Sequence, residues 1–322
     1  MRNPCSIPES KGGIALRHLG TIWLWCLVGL ILALARTSLA QELEPRRWTH
    51  LPRDTNFAAA AYAYTSADIA FDPVLLIDGG ATELHTGAAG YIRSFELFGK
   101  SARADFIQAY KYGEWAGVLN GVPTSISRTG WADTAARFAI NLYGAPPLAG
   151  GEYAAYRTNT PVETIVGIAL AAQIPTGDYM NDKLINLGAN RFMFRPELGV
   201  VHNRGAWSFE ATAGVSFFTE NDEFFNGNRL EQDPLVGLQG HVVYTFRPGL
   251  WAATSAGYEV GGISTVNGVS KDDRKENLMW AFSVGYPITR QWGIKLAYIG
   301  IRKSALVGID ADTVAIGLST FW

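Results

Sequence analysis

Residues 291–301 read QWGIKLAYIGI, and every second side chain is bulky and apolar. Trp292, Ile294, Leu296 and Tyr298 fall on one face of an extended chain, while Gly293, Lys295 and Ala297 fall on the other. Side chains alternate across a strand, so this period of two predicts a strand with one apolar and one polar face. A helix would need apolar residues three and four apart. The same pattern runs back along the chain. In 235–247, Leu238, Val242, Tyr244 and Phe246 oppose Gln239, His241, Thr245 and Arg247. In 191–201, Phe192, Phe194, Leu198 and Val200 oppose Arg191, Arg195 and Glu197. In 131–142, Ala136, Phe138, Ile140 and Leu142 oppose Asp133, Arg137 and Asn141; in 103–115, Phe106, Tyr110 and Tyr112 oppose Arg103, Asp105 and Lys111.

Twelve segments alternate in this way, near 56–66, 84–98, 102–117, 126–142, 162–175, 191–203, 206–219, 235–247, 250–261, 277–288, 291–301 and 312–322. Most reach the roughly 9–11 residues that a tilted strand needs to cross a bilayer, and an even number suits a single-chain outer-membrane barrel. The connections alternate too. Asn203-Arg204-Gly205, Pro248-Gly249 and Thr289-Arg290 sit in short turns, whereas 176–190, 220–234, 262–276 and 302–311 are long polar loops. Short turns at one rim and long loops at the other are the outer-membrane pattern. One connection departs from it: 143–161 (YGAPPLAGGEYAAYRTNTP) is long on the short-turn side, and reads as a periplasmic excursion or a missed hairpin.

Composition narrows the alternatives. The 322 residues are 48% hydrophobic, 12% aromatic and 17% charged. A disordered chain would carry more charge and fewer aromatics, and a coiled coil would be dominated by Ala, Glu, Lys and Leu. Arg2, Lys11 and Arg17 precede a 14-residue apolar run, Ile22 to Ala35, and Ser38-Leu39-Ala40 follows it. This layout predicts a secretory signal peptide over 1–40, cleaved near Ala40-Gln41. A membrane anchor would need about 20 apolar residues, and no later segment comes close. The domain division is therefore a signal over 1–40 and a barrel over 41–322. The signal holds four of the 27 basic and one of the 29 acidic residues, so the mature chain carries 23 against 28, a net of −5. Cys5 and Cys26 leave with it, so the exported chain has neither disulfide nor thiol chemistry. That charge gives no sign of nucleic-acid binding.

A soluble β-sandwich would also alternate, but two features favour the membrane. Trp131, Trp207, Trp251, Trp292, Tyr244, Phe246 and Tyr258 lie near strand ends, where barrels place aromatic girdles. The chain also closes on TVAIGLSTFW, with Val314, Ile316, Leu318 and Trp322 on one face. This strand resembles the signal read by the barrel-assembly machinery: Gly317 and Trp322 fit, and Thr320 stands where an apolar residue is usual. The expected fold is an all-β transmembrane antiparallel barrel of about twelve strands in the outer membrane.

The sequence offers little catalytic chemistry. It lacks HExxH, CxxC and HxH spacing, a GxGxxG turn, a Walker loop and a Gly-Xaa-Ser-Xaa-Gly elbow, so neither cofactor, metal nor catalytic residue is expected. A barrel phospholipase would need Ser and His on the outward face, and His241 falls on the polar face. Asp133, Arg137, Arg195, Glu197, Glu210, Gln239, His241, Glu259 and Lys295, with Arg247, are expected to point into the lumen. They either line a solute pathway or pair with one another, as buried charges must. Eight strands leave room only for side chains and 16–18 leave a channel, so twelve permits a small pore or a plugged one. The acidic loops Asp178–Lys183 and Glu220–Asp233 either bridge lipopolysaccharide through divalent cations or are solvated.

The stretches PVETIVGIALAAQIPTGDY (161–179), LINLGANRFMFRPELGV (184–200), GAWSFEATAGVSFFTEND (205–222) and QDPLVGLQGHVVYTFRPGLWAA (232–253) follow one another in order. Together they resemble the Gram-negative outer-membrane family described as "putative MetA-pathway of phenol degradation", or simply as transporters. The resemblance covers Pro161 to Trp322. It implies an outer-membrane barrel that passes aromatic or other small hydrophobic compounds. The partners expected from the terminal strand, the loops and the barrel itself are the assembly machinery, lipopolysaccharide and outer-membrane lipids. The competing reading is a structural or surface-interaction barrel with a filled lumen.

Overall fold

The computed structural model describes residues 43–70, 77–119, 122–305 and 308–322. The expected signal peptide lies outside the described residues. The strands are β1 (Asn56–Ala70), β2 (Ile77–Leu97), β3 (Lys100–Leu119), β4 (Val122–Trp131), β5 (Thr134–Tyr143), β6 (Val162–Ile174), β7 (Met193–Arg204), β8 (Trp207–Phe218), β9 (Asn221–Phe224), β10 (Asn228–Gln232), β11 (Leu235–Arg247), β12 (Leu250–Gly261), β13 (Ser264–Val266), β14 (Val269–Ser270), β15 (Lys275–Pro287), β16 (Trp292–Lys303) and β17 (Gly308–Phe321). A helix, α1 (Gly150–Asn159), lies between β5 and β6.

Among the described residues, every strand of the main sheet pairs antiparallel with its sequence neighbour, and β1 pairs with β17 to close the ring. Each of the twelve sequence segments becomes one position in that ring. The segment 126–142 is divided: β4 pairs with residues 110–119 of β3, and β5 with residues 102–107. The break falls at Ala132-Asp133 because Trp131 exchanges its backbone hydrogen bonds with Asp178 of the following loop, whose carboxylate takes the Trp131 N–H at 2.9 Å.

The burial of the strands alternates as the sequence does. In β7 the odd positions from Met193 to Val201 are buried, and Phe194, Leu198 and Val200 are exposed. In a soluble protein an exposed face this apolar would be a liability; here it is the lipid face. Trp207, Tyr244 and Phe246 cluster at the short-turn rim, where Trp292 is also exposed, and Trp131 and Tyr258 are exposed towards the loop rim. Trp251 departs from the expected girdle. It lies on the inward side of β12 opposite Gly285, where a side chain on that glycine would collide with the indole.

The short turns follow local rules. Phe98 and Gly99, joining β2 to β3, both have positive φ (52° and 73°), the type I′ geometry that matches strand twist. The segment 143–161 is an excursion rather than a hairpin, and α1 forms its centre. On the opposite rim β9, β10, β13 and β14 form a separate four-stranded sheet over the loops. Phe224, Leu230 and Val266 make its core, with Leu184 and Phe225 packed against it. Two of the long loops expected from sequence, 220–234 and 262–276, are therefore ordered into a cap, against which Leu184 of 176–190 packs.

Candidate functional site

Residues 43–53 do not join the wall; they run inside it. Their partners surround them. Glu44 accepts from Lys295 Nζ of β16 at 2.7 Å, and the Arg46 N–H donates to Glu210 of β8 at 2.8 Å. Arg103 of β3 donates to the Arg47 carbonyl at 3.0 Å, and Trp48 Nε1 donates to Thr212 Oγ1 of β8 at 2.9 Å. Leu43 packs on Met279 and Ala281 of β15. Only a segment within the lumen can touch strands on opposite sides of the barrel at once.

The wall is shaped to receive it. Gly167 of β6 and Gly199 of β7 pair with each other across the sheet, and Gly199 pairs with Thr212. All three face inward at one level. A Cβ on Gly199 would lie 2.0 Å from the Trp48 ring, and one on Gly167 would lie 2.7 Å from it. Glycine inside a strand often marks a close approach by another group, and here that group is Trp48. Ile165, Val201, Ala139 and Ala169 complete the apolar surround. The Arg137 guanidinium lies 4.5 Å above the ring centre, a cation–π contact. Gly257 serves Leu43 likewise, its absent Cβ falling 2.8 Å from Leu43 Cδ2.

At the short-turn rim, 143–161 packs over this segment. His50 is fully buried; its Nε2 lies 2.7 Å from the Pro146 carbonyl, and Tyr153 of α1 donates to the His50 carbonyl at 2.9 Å. The rings of Tyr153 and Tyr156 meet the imidazole edge-on at 5.0 and 5.4 Å. Glu163, on β6, binds the Ala145 N–H, the Tyr156 hydroxyl and Arg157, and lies 3.6 Å from His50 Nδ1. Burial pushes the imidazole below the ordinary histidine value, outweighing the opposing pull of Pro146 and Glu163.

Of the nine wall residues expected to face the lumen, eight are buried, and Lys295 meets Glu44 of the inserted segment. Arg137 donates to Glu197 at 2.9 Å, and Arg195 lies 3.6 Å from the same carboxylate. Arg137 reaches across β6 because the intervening inward positions, Ala169 and Ala171, are small. His241 Nδ1 lies 2.7 Å from Ser255 Oγ, and Gln239 and Glu259 are buried on the adjoining strands. Glu210 and Lys295 hold the inserted segment. Asp133 does something else: its carboxylate takes the N–H groups of Gly177 and Ala189 and the Gln173 amide, pinning the loop after β6. Arg247 is exposed at the β11–β12 turn and does not reach the lumen. Gly317 pairs with Ala61 across the closing seam, and the backbone of Trp322 exchanges two 3.0 Å hydrogen bonds with Asn56. Among the described residues no group of three or more His, Cys, Asp or Glu is placed to hold a metal.

The inserted segment itself escaped the sequence reading, although its signal was present in the inward glycines of otherwise bulky strands. Beside Trp48, between Arg47, Arg53, Phe95, Arg103 and Asn141, a cavity of about 20 Å³ remains. That holds roughly one water molecule.

The comparisons agree with the architecture. A comparison with curated protein sequences finds no match. The outer membrane channel COG4313 from Pseudomonas putida F1 superimposes with a TM-score of 0.73 at 18% identity, over 87% of this chain and 100% of that one. The transport unit of the autotransporter AIDA-I from Escherichia coli gives 0.49 at 8% identity, over 94% and 97%. The beta domain of the Bordetella autotransporter BrkA gives 0.46 at 11% identity, over 84% and 100%. The first shows the fold of an outer-membrane barrel; the other two are too distant to carry more. The family model matched by residues 53–301 begins well before the motifs at Pro161, so the strands of the first half share in the likeness. The chain belongs to the family described as "Putative MetA-pathway of phenol degradation".

Proposed function

We propose that this chain is a passive outer-membrane channel for small hydrophobic or aromatic compounds, closed in this conformation by its own N-terminal segment. The observation that carries the reading is the nature of the closure. A structural barrel would fill its lumen with wall side chains, whereas here inward glycines leave room and a terminal segment occupies it. The segment has no regular secondary structure and can leave without unpairing a strand. Arg137, Arg195, Glu197, Glu210, Gln239, His241, Glu259 and Lys295 then line the pathway, while Asp133 holds the outer loop above it. The family description, which names phenol degradation, supports aromatic compounds as the solute class. The reading further takes the signal as cleaved after Ala40, which frees the segment to enter the lumen. It takes the β17 strand, with Gly317 and Trp322, as the mark recognised by the assembly machinery, and the acidic outer loops as facing lipopolysaccharide.

Planar-bilayer recording tests the proposal. Deleting residues 41–50 behind the intact signal is expected to raise single-channel conductance several-fold over the parent. A deletion that inserts normally but conducts no better than the parent would support the filled, structural barrel instead.

A further inference from the structure

Trp48 is held as a ligand is held. Its ring lies in a cradle floored by the bare backbones of Gly167 and Gly199 and walled by Ile165 and Val201. Its one polar atom meets one acceptor, Thr212 Oγ1, at 2.9 Å. Its π-face meets one cation, Arg137, at 4.5 Å. That guanidinium is buried, yet Nη1 and Nη2 lack hydrogen-bond partners; Asp105 comes no nearer than 3.7 Å. The elements of recognition belong to the wall, on β5, β6, β7 and β8, whereas the occupant belongs to a terminal segment. Removing the occupant therefore leaves the cradle in place.

We propose that this cradle is a binding site for a planar aromatic molecule carrying an N–H or O–H at its edge, and that Trp48 is its resident occupant in the closed channel. The proposal rests on the channel reading above and names a solute class for it. A ring entering the cradle stacks beneath Arg137, donates to Thr212, and displaces the segment that Trp48 anchors. Solute and closure then compete for one place. Rings of this class gain the Thr212 contact, and aliphatic compounds of equal size gain neither it nor the stacking.

The test uses the purified barrel in detergent, with indole and 1-methylindole as probes and saturable binding read by titration calorimetry. Trp48→Ala is expected to bind indole at one site, at least tenfold more tightly than the parent. Adding Gly199→Leu, which fills the cradle, is expected to abolish saturable binding. Adding Thr212→Val instead is expected to weaken indole several-fold and leave 1-methylindole, which has no donor, unchanged. Heat-modifiable gel migration verifies folding; should Trp48→Ala fail it, deletion of residues 41–50 replaces it with the same expectations. The proposal is overturned if the emptied barrel binds indole no better than the Gly199→Leu form, or if Thr212→Val weakens both probes alike. Conductance of the same proteins separates the two readings. An emptied barrel that conducts but does not bind indole leaves the channel standing without the site, and one that binds but does not conduct does the reverse.

Discussion

At the scale of single residues, facing decides what a substitution does. Leu296 and Lys295 are adjacent, but Leu296 is exposed on the lipid face and Lys295 is ion-paired to Glu44 in the lumen. An arginine on the lipid face near the midplane costs about 2–4 kcal/mol, falling towards zero at the interfaces. Leu296→Arg is expected to lose stability on that scale in urea-dependent folding into vesicles, while Lys295→Arg stays close to the parent. Equal stability of the two variants would contradict the assigned faces. The ion pair itself adds little, because both partners are about a third exposed and such pairs contribute roughly 0–1 kcal/mol. Trp48 is different: truncating a buried tryptophan costs roughly 3–5 kcal/mol. The hold on the inserted segment therefore rests on one ring and its glycine cradle more than on charge. The polar faces that supply this lining were legible from sequence because Arg137, Glu197 and His241 interrupt apolar runs at a period of two. Their partners were not, since a period gives a direction and not a distance. Arg137 meets Glu197 across Ala169 and Ala171, a contact between residues 60 apart in the chain.

Among the elements, the inserted segment and α1 form one closure, and His50 is where they meet. The groups facing the imidazole are Glu163 on β6 and Arg157, Tyr153 and Tyr156 on α1. Its pKa when docked lies below the ordinary value of 6.5, which it regains when released. The released state thus binds more protons in acid, so docking is intact above about 6.5 and weakens as pH falls through that value towards the lower docked pKa. Wild-type conductance is expected to rise as pH is lowered from about 7 to about 5. His50→Gln should flatten that dependence; an unchanged slope would place the titration elsewhere. This closure was not legible beforehand. Residues 43–53 have no apolar period, being specified by Leu43 and Trp48 fitting holes in distant strands and by His50 packing against 143–161. The helix lay hidden in GGEYAAYRTN, which buries no residue of its own and so shows no apolar stripe.

For the whole molecule, alternation and connection length sufficed to place all twelve wall strands, because the bilayer imposes the same two-faced pattern on each. They also give a topology that can be checked from outside the cell. A tag at Asn267-Gly268, in the β13–β14 turn of the cap, is expected to be reached on intact cells, and one at Pro248-Gly249 is not; equal labelling would invert or abolish the assignment. The cap and the break at Ala132-Asp133 were missed because the loops pair with one another, through contacts such as Leu230 with Val266, and carry no bilayer pattern. The seam between β1 and β17 has a temporal consequence. Each other wall strand meets a neighbour close by in the chain, whereas β1 and β17 join Phe57 to Phe321 across nearly the full length. Long-range closure carries the larger entropic cost and comes late. The inserted segment precedes β1, and its anchoring strands, β6 to β8, are complete only after synthesis has moved far beyond it. Residues 43–53 are thus expected to be the last to find their place, so that a newly assembled barrel passes through an interval in which this segment is not yet docked.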